Sequence, residues 1–214
     1  MCNKLSSFAV IAAAILMAAC NPNTTNLATT LRTGDLVFVA DTSGMGSAVI
    51  ASTGSFSHAA IIESTDSGLF VWEAVPRSGV IRRGLKIFLS DYSLTEAEFE
   101  KGCANGLLRI EKTPEAFDTA RLVELLHQHI GQPYDDYFLP DNGRTYCSEL
   151  IEECFYNKDG ERIFSTTPMN FRDAEGSIPE FWTRWFDSLG APIPEGTPGT
   201  NPTQIYHQTS RKGI

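Results

Sequence analysis

The stretch YCSELIEEC, residues 146–154, indicates the fold class of this chain. Turn-forming residues precede it, and its apolar side chains recur with helical spacing, so the pattern predicts an amphipathic helix with Cys147 in the first turn. Unpaired N–H groups and the helix dipole at such a position favour negative charge, which lowers a thiol pKa. Cys147 is therefore the predicted nucleophile. The alternative is a buried cysteine that serves only as a small apolar residue.

A histidine upstream has a matching context. His58 opens a predicted buried strand over 58–64, and residues 69–75 are its predicted hairpin partner. A two-residue turn at 65–66 sets Glu73 opposite His58, and a four-residue turn sets it opposite Ala60. Both registers put Glu73 on the face of His58, whereas a turn of odd length or a bulge would separate them. We predict His58 as the base and Glu73 as its orienting group, with a solvated strand carboxylate as the alternative for Glu73.

A cysteine, a histidine and a third polar group form the catalytic set of thiol hydrolases. At these residues the chain resembles the papain-like cell-envelope amidases of the NlpC type, in their circularly permuted, YiiX-like branch. The matching segments are residues 31–38, 57–61, 72–74, 131–135, 146–150 and 193–202. The resemblance implies an α+β, circularly permuted papain-like fold with a central antiparallel sheet packed with helices, the catalytic cysteine at a helix N-terminus, and no cofactor.

The same resemblance assigns roles to individual residues. It implies Cys147 as nucleophile, His58 as base and Glu73 as the third polar residue. Tyr134 and Asp135 fall in the matching 131–135 segment and are candidate substrate or oxyanion residues, with a turn-forming role as the alternative for Asp135. The hydroxyl of Tyr146 could bind an oxyanion beside the Cys147 N–H, and simple packing is its alternative.

The amino terminus predicts the compartment. Lys4 precedes an apolar run over 8–17, and the segment LMAAC at 16–20 resembles a lipoprotein signal box. We predict a signal peptide over 1–19, a lipidated Cys20 with a tether over 20–30, and a hydrolase domain over 31–214. This organisation would place an exported protein in the bacterial cell envelope, held on a membrane by its lipid anchor. Cleavage of an ordinary secretory peptide near Ala19 is the alternative.

Composition excludes some partners. The chain has 214 residues, a net charge of −9 and no long basic run, which argues against nucleic-acid binding. His127 and His129 lie two residues apart on a predicted helix and do not face each other, so we predict no metal site there. Cys147 and Cys154 are about two helical turns apart, too far for a disulfide. Cys103 has no predicted partner.

Periodicity and turn signals give the remaining elements. We predict strands near 35–40, 79–85 and 107–110, and a short helix over 45–52. Ser90 or Ser93 would cap a helix running toward Lys101. A longer helix would begin at 113–116 and stop near Gly131. The aromatics of the segment FWTRWF, residues 181–186, predict core packing, or alternatively an apolar wall of the substrate site or a membrane-facing patch.

The leading functional prediction is a lipid-anchored cysteine hydrolase that cleaves amide bonds in envelope peptides of the peptidoglycan-stem type. A lipid esterase or acyltransferase, or an N-acyl amidase, on the same triad is the alternative within the enzyme class. A binding module that keeps the scaffold without turnover is the alternative outside it. The predicted substrates are accordingly a cell-wall peptide or an acyl or lipid compound.

Overall fold

A five-stranded antiparallel sheet organises the protein. The computed structural model describes residues 30–100, 107–113 and 117–211. The spatial order of the strands is β4-β3-β2-β1-β5, and every neighbouring pair is antiparallel. The strands are β1 (Leu36–Val39), β2 (His58–Thr65), β3 (Gly68–Val75), β4 (Gly79–Gly84) and β5 (Leu108–Glu111). The sheet and the helices around it confirm the predicted α+β class.

Helices and a small second ladder surround the sheet. In the described part of the chain the helices are α1 (Gly44–Thr53), α2 (Leu85–Asp91), α3 (Glu96–Glu100), α4 (Thr119–His129), α5 (Cys147–Cys154), α6 (Glu180–Leu189) and α7 (Pro202–Arg211). The short ladder pairs β6 (Thr167–Pro168) with β7 (Pro198–Gly199). Among the described helices, none combines the length and apolar character that a membrane span requires.

The two faces of the sheet bury separate clusters, because successive strand side chains point to opposite sides. One face packs against α4, α5, α6 and α7 through Leu36, Phe38, Ala59, Ile61 and Trp72. The other packs against α2 and α3 through Val37, Val39, Ala60, Ile62 and Val71. The helices on these faces therefore approach the same strands from opposite sides.

The β2–β3 hairpin has the predicted parity. Its two-residue turn is 66–67, and Ile61 pairs with Trp72. Continued by one residue, this register sets Glu73 opposite Ala60, which is the second of the two predicted registers. Side chains two residues apart on a strand share a face, so Glu73 lies on the face of Val71, and His58 lies on the face of Ala60. Both side chains belong to the face that packs against α2.

The longer predicted helix has a wrong start and a correct end. The helix expected to start at 113–116 begins at Thr119, where Asp118 accepts a hydrogen bond from the Arg121 N–H at 3.1 Å. Phe117 forms an isolated β-bridge with Asn157, so the chain is extended just before the cap. The stop near Gly131 is confirmed, because α4 ends at His129 and Gly131 has a φ of 77°.

The helix expected toward Lys101 corresponds to α3, but its predicted cap at Ser90 or Ser93 is wrong, and α2 has no counterpart among the predicted elements. Thr95 and Glu98 form the start of α3, since the Thr95 N–H donates to the Glu98 carboxylate and the Thr95 hydroxyl accepts from the Glu98 N–H. Ser90 lies inside α2, and Ser93 has a φ of 56° in the turn that separates the helices. Lys101 and Cys103 lie outside the described residues, as do the predicted signal peptide, Cys20 and most of the tether.

Candidate active site

Cys147 is the first residue of α5, as the helical pattern predicts. Glu149 helps to start the helix there, because its carboxylate accepts the Tyr146 N–H at 3.3 Å. The apolar residues of α5 pack on the sheet and turn its first residue toward the beginning of β2. Cys147 and Cys154 are both free thiols.

The Cys147 sulfur lies in surroundings that favour the thiolate. Burial alone would raise the pKa of this thiol, since only 6% of the residue is exposed. The His58 side chain and the backbone N–H groups of Ala59 and Ser148 hydrogen-bond the sulfur and more than offset that effect, so the pKa of Cys147 is lowered. A thiol in such surroundings is suited to the predicted nucleophilic role.

The imidazole of His58 is held from its far side. Its Nε2 lies 2.7 Å from Oε2 of Glu73, which leaves Nδ1 as the ring nitrogen that faces Cys147. Burial by itself would lower the pKa of His58, but Tyr92, Cys147 and Glu73 all favour the imidazolium and raise that pKa well above its ordinary value. A lowered thiol pKa beside a raised imidazole pKa favours a thiolate–imidazolium pair.

Glu73 is completely buried and bridges two cationic partners. Besides His58 it binds Arg83, whose Nε donates to Oε1 at 2.5 Å. Burial by itself would raise the pKa of Glu73, but its contacts with His58 and Arg83 lower it, so the group is a carboxylate. Nη1 of Arg83 in turn donates to Asp91 at the end of α2, at 2.5 Å.

The sequence prediction did not include Arg83. Glu73 pairs with Ile81 in the β3–β4 ladder, and Arg83, two residues further, has the same parity. The β3–β4 register places Arg83 on the same face as Glu73, and the sequence pattern alone does not specify that register.

Cys147 and His58, the predicted nucleophile and base, come from opposite sides of the sheet. His58 and Glu73 have the parity of residues that pack against α2, whereas α5 packs on the other face. They meet where β2 begins, so that the Ala59 backbone can contact the sulfur. His58 and Glu73 therefore come from the predicted hairpin, and Cys147 comes from the start of α5.

A cleft of about 820 Å³, measured with its open mouth, lies over the thiol. Cys147, His58, Tyr92 and Tyr134 line it near the reactive sulfur. Its wall is mainly apolar and includes Met45, Val49, Phe138, Met169, Phe171 and Trp182. Asp41, Asn170 and Asn201 contribute polar groups. Of the 181–186 aromatics, Trp182 therefore serves both the core and the cleft, and Phe186 is buried in the core.

The C-terminal segment completes this cleft. Thr200, Asn201 and Pro202 line it. The Thr200 N–H donates to the Tyr146 hydroxyl at 2.9 Å, and the Thr203 hydroxyl accepts the N–H groups of Ser55 and Phe56, each at 3.1 Å. These contacts join the start of α7 both to the nucleophile's helix and to the loop before β2.

Tyr134, Tyr146 and Asp135 occupy different settings. Tyr134 lines the cleft, and its hydroxyl contacts Met45 Sδ at 4.0 Å, a weak acceptor. Burial and the negative charge of Cys147 raise its pKa, so the phenol keeps its proton. Tyr146 also lines the cleft, and its hydroxyl oxygen accepts the Thr200 N–H. Asp135 is absent from the cleft lining and instead accepts the N–H groups of Tyr137 and Leu139, which stabilises a turn.

The two histidines of α4 have separate partners. His129 Nε2 lies 3.1 Å from Glu153, and its Nδ1 lies 3.9 Å from Cys154 Sγ. His127 packs against Trp72, with ring centroids 5.0 Å apart. The two imidazoles therefore do not converge on one point. Burial raises the pKa of Cys154, whereas the pKa of Cys147 is lowered because its partners outweigh its burial.

A thiol of lowered pKa at a helix start, beside an imidazole oriented by a buried carboxylate, is the arrangement of cysteine hydrolases that work through an acyl-enzyme. In this fold the histidine strand precedes the cysteine helix. A family model of permuted papain-like amidase enzymes, the YaeF/YiiX family, matches residues 30–213. The chain belongs to that family, which confirms the predicted resemblance and supports an amidase-type cysteine hydrolase.

Two Escherichia coli relatives are similar over most of their length. A protein of strain K12, named only as the uncharacterized protein YiiX, is 24% identical over 176 residues, which are 82% of this chain and 81% of that protein. The crystal structure of YiiX from strain O157:H7, described as a metalloprotein, superposes with a TM-score of 0.64 at 20% identity. That alignment covers 82% of this chain and 91% of the other. It supports the fold.

Proposed function

We propose that this protein is a cysteine amidase that releases an apolar acyl group from an amine or amino acid. The observation that carries the proposal is the apolar wall of the cleft over Cys147, formed by side chains such as Val49, Phe138 and Trp182. Apolar clefts with few polar groups accommodate apolar ligand parts, and a long acyl chain is such a part. The amide assignment rests on the family, whose members are described as amidases.

The proposed reaction uses the chain's own side chains. The Cys147 thiolate attacks the carbonyl carbon, and the negative charge that develops on the carbonyl oxygen is bound by the Cys147 N–H and the Tyr134 hydroxyl. His58 gives its proton to the leaving nitrogen as the C–N bond breaks, leaving a thioester. A water molecule, deprotonated by His58, then attacks the thioester. The products are a carboxylic acid and a free amine, and the thiolate–imidazolium pair is restored.

Tyr134 suits the oxyanion role better than Tyr146. The Tyr134 phenol lines the cleft as a proton donor whose contact in the described structure is a thioether sulfur. The Tyr146 oxygen accepts the Thr200 N–H, a bond that holds this side chain against the start of α7. Glu73 would remain ionised through the cycle and orient His58, as the buried carboxylate does in other nucleophile–histidine–acid sets.

A second candidate is a peptide amide of the peptidoglycan stem. It is favoured by the 131–135 and 146–150 segments, which resemble cell-wall hydrolases, and by polar groups in the cleft such as Asp41 and Asn170. Thiolate attack forms an acyl-enzyme from a peptide, an acyl amide or an ester, so the contacts in the cleft determine the substrate. The apolar wall is the reason for preferring the acyl amide.

A resident metal does not fit the residues of this site. YiiX is described as a metalloprotein. Across the described ranges of this chain, no group of three or more His, Cys, Asp or Glu side chains could hold a metal ion. Beside the sulfur, His58 is the second side chain with a donor, while Glu73 binds the far nitrogen of the His58 ring. Protein zinc sites use three or four protein ligands.

We further propose that the protein is exported and anchored to a membrane of the bacterial cell envelope through a lipidated Cys20. The signal-like segment 1–19 and the polar residues after Cys20 support this location. An anchored enzyme would meet both acyl compounds at the membrane and cell-wall peptides beside it. The anchor therefore agrees with either substrate class.

The experiment compares the wild-type protein with Cys147→Ala. Both are incubated with N-acyl amino acids of increasing chain length, with muropeptides and with phospholipids, and products are identified by mass spectrometry. We expect Cys147-dependent release of amines from long N-acyl amino acids. Cys147-dependent cleavage of muropeptides alone would favour the second candidate, and cleavage of phospholipids alone would favour an esterase. Absence of turnover of all three would favour a binding module.

A further inference from the structure

Arg83 connects the buried carboxylate of Glu73 with the exposed carboxylate of Asp91. Its Nε donates to Glu73 and its Nη1 to Asp91, both at 2.5 Å. The side chain of Glu73 is 0% exposed and that of Asp91 is 52% exposed, with 16% for Arg83 between them. The aromatic ring of Phe88 lies 5.5 Å from the guanidinium carbon and supports the side chain from α2. Two strong contacts and a ring therefore fix its position.

The proton state of Glu73 determines what His58 can do. As a carboxylate, Glu73 accepts a hydrogen bond from Nε2–H, so the neutral ring presents an unprotonated Nδ1 that can take the thiol proton. A protonated Glu73 would instead donate to Nε2. The ring proton would then reside on Nδ1, and His58 could not act as base toward Cys147. A fully buried carboxylate tends to become protonated unless a cation lies beside it.

We propose that Arg83 is a positioning residue that holds Glu73 as a carboxylate and thereby fixes the His58 tautomer that activates Cys147. The inference rests on the proposed thiol chemistry at Cys147, and it is independent of the substrate. Arg83 acts through Glu73 and not on the reacting atoms.

The surrounding charges support a specific role for Arg83. The titratable groups that face the His58–Glu73 pair are Cys147 from α5, Tyr92 after α2, and Arg83 from β4. The negative charge of Asp41, which follows β1, helps to raise the pKa of Tyr92. Asp91 contacts Arg83 and raises the pKa of that guanidinium, so it affects the pair only indirectly. Arg83 is the one permanent cation in this set. Its removal would leave a buried carboxylate with no permanent positive partner.

The neighbouring residue Arg82 provides a matched control. It also binds a glutamate of the sheet, since its Nε donates to Glu63 at 2.7 Å, and its guanidinium stacks on Phe70 at 3.5 Å. Arg82 has the opposite parity to Arg83 and pairs with Trp72 in the ladder. Substituting it removes a similar ion pair from the same strand without touching Glu73.

The experiment measures the rate at which iodoacetamide alkylates Cys147 in the full-length protein between pH 4 and pH 9. Peptide mass mapping separates Cys147 from the other thiols, and wild type is compared with Arg83→Gln, Arg83→Lys and Arg82→Gln. We expect Arg83→Gln to move the acidic limb of the profile upward by about one pH unit, so that alkylation near pH 6 slows roughly tenfold. Arg83→Lys should recover part of the shift, and Arg82→Gln should follow wild type.

An Arg83→Gln profile that coincides with wild type would overturn the inference, as would an equal shift in Arg82→Gln. If Arg83→Gln does not fold, Asp91→Asn replaces it, because this variant removes only the surface contact of Arg83. It should give a smaller upward shift, and an unchanged profile would again overturn the inference. If Cys147 of the wild type reacts no faster than an ordinary thiol, the proposed function itself fails, which is a distinct result.

Discussion

Oε2 of Glu73 lies 2.7 Å from Nε2 of His58, and this contact determines which imidazole nitrogen faces Cys147. Because Nε2 is occupied, Nδ1 serves the thiol. The raised pKa of His58 and the lowered pKa of Cys147 then belong to one charge-separated pair. The reactivity of the thiol should therefore depend on a carboxylate that never touches it.

Glu73→Gln tests that dependence. The amide keeps the size of the side chain but loses the charge that favours the imidazolium, and its NH₂ group can bind Nε2 in the wrong tautomer. We expect Cys147-dependent turnover to fall by roughly 10² to 10⁴-fold. Glu63→Gln, on the opposite face of the sheet, should retain activity if it folds. Equal activity of Glu73→Gln and wild type would contradict the orienting role.

Tyr134→Phe and Tyr146→Phe should separate catalysis from stability. Loss of the Tyr134 hydroxyl removes a proposed oxyanion donor, which we expect to lower kcat by roughly 10² to 10³-fold while Cys147 alkylation is unchanged. Loss of the Tyr146 hydroxyl leaves the buried Thr200 N–H without its acceptor, at a cost of about 1 to 3 kcal/mol in unfolding free energy. Steady-state kinetics and urea unfolding measure the two effects. A larger kcat loss in Tyr146→Phe would reverse the assignment.

Glu149→Gln should stabilise the protein at neutral and alkaline pH. Burial, together with Glu153, raises the pKa of Glu149 from 4.5 to about 9. Between those values the folded state binds more protons than the unfolded state, so the unfolding free energy of the wild type falls as pH rises. Glutamine removes that fall and keeps an oxygen that can accept the Tyr146 N–H.

The expected gain for Glu149→Gln is about 1 to 2 kcal/mol near pH 8, decreasing toward zero below pH 4.5. Urea titrations at pH 4, 6 and 8 measure it. Glu152→Gln on the same helix is the control, because Glu152 forms an ion pair with Arg162 and its neutralisation should destabilise the protein. A constant difference between Glu149→Gln and wild type at all three pH values would be evidence against the raised pKa.

Val49→Phe should narrow the cleft. Val49 lies on α1 and lines the cleft, whereas the next residue, Ile50, is absent from its lining. We expect the larger ring to raise KM for long N-acyl substrates at least about tenfold, with a smaller effect on short ones. Cys147 alkylation reports whether the thiol is intact. Ile50→Phe is the matched control, and the same chain-length dependence in both variants would argue against Val49 as part of the acyl wall.

Lipidation of Cys20 can be measured directly. Mass spectrometry of the mature protein from a bacterial host should find an acylated amino-terminal Cys20, and the protein should fractionate with membranes. Cys20→Ala should remain as an unprocessed precursor or appear in soluble form. An unmodified amino terminus elsewhere in the wild-type protein would refute the predicted anchor.

Local signals were sufficient to predict the elements that carry Cys147, His58 and Glu73. The turn residues before Cys147 and the helical spacing after it predict α5, and the alternation of β2 and β3 predicts the shared face of His58 and Glu73. The register remained open between two options, because the sequence does not specify how many residues the turn leaves unpaired. The structure has the option with Glu73 opposite Ala60, by continuation of the observed pairing.

The features that local sequence signals do not predict depend on contacts between distant segments. The start of α4 depends on the bridge from Phe117 to Asn157, and no local signal reports such a pairing. The cleft wall likewise combines Val49, Phe138 and Trp182 from segments far apart in the chain. For the 181–186 aromatics, the sequence predicts either core packing or a wall of the substrate site. Trp182 has both roles, because one edge of the core also forms a wall of the cleft.

The contacts of Thr200 and Thr203 have a consequence for biosynthesis. These residues follow both His58 and Cys147 in the sequence, yet they contact the Tyr146 hydroxyl and the backbone before His58. A nascent chain therefore acquires His58 first and Cys147 later, but it lacks one side of the cleft until residues 200–203 have also emerged. The order of the segments separates synthesis of the thiol from completion of the cleft, so that a product truncated between Cys147 and Thr200 would carry Cys147 without a complete binding site.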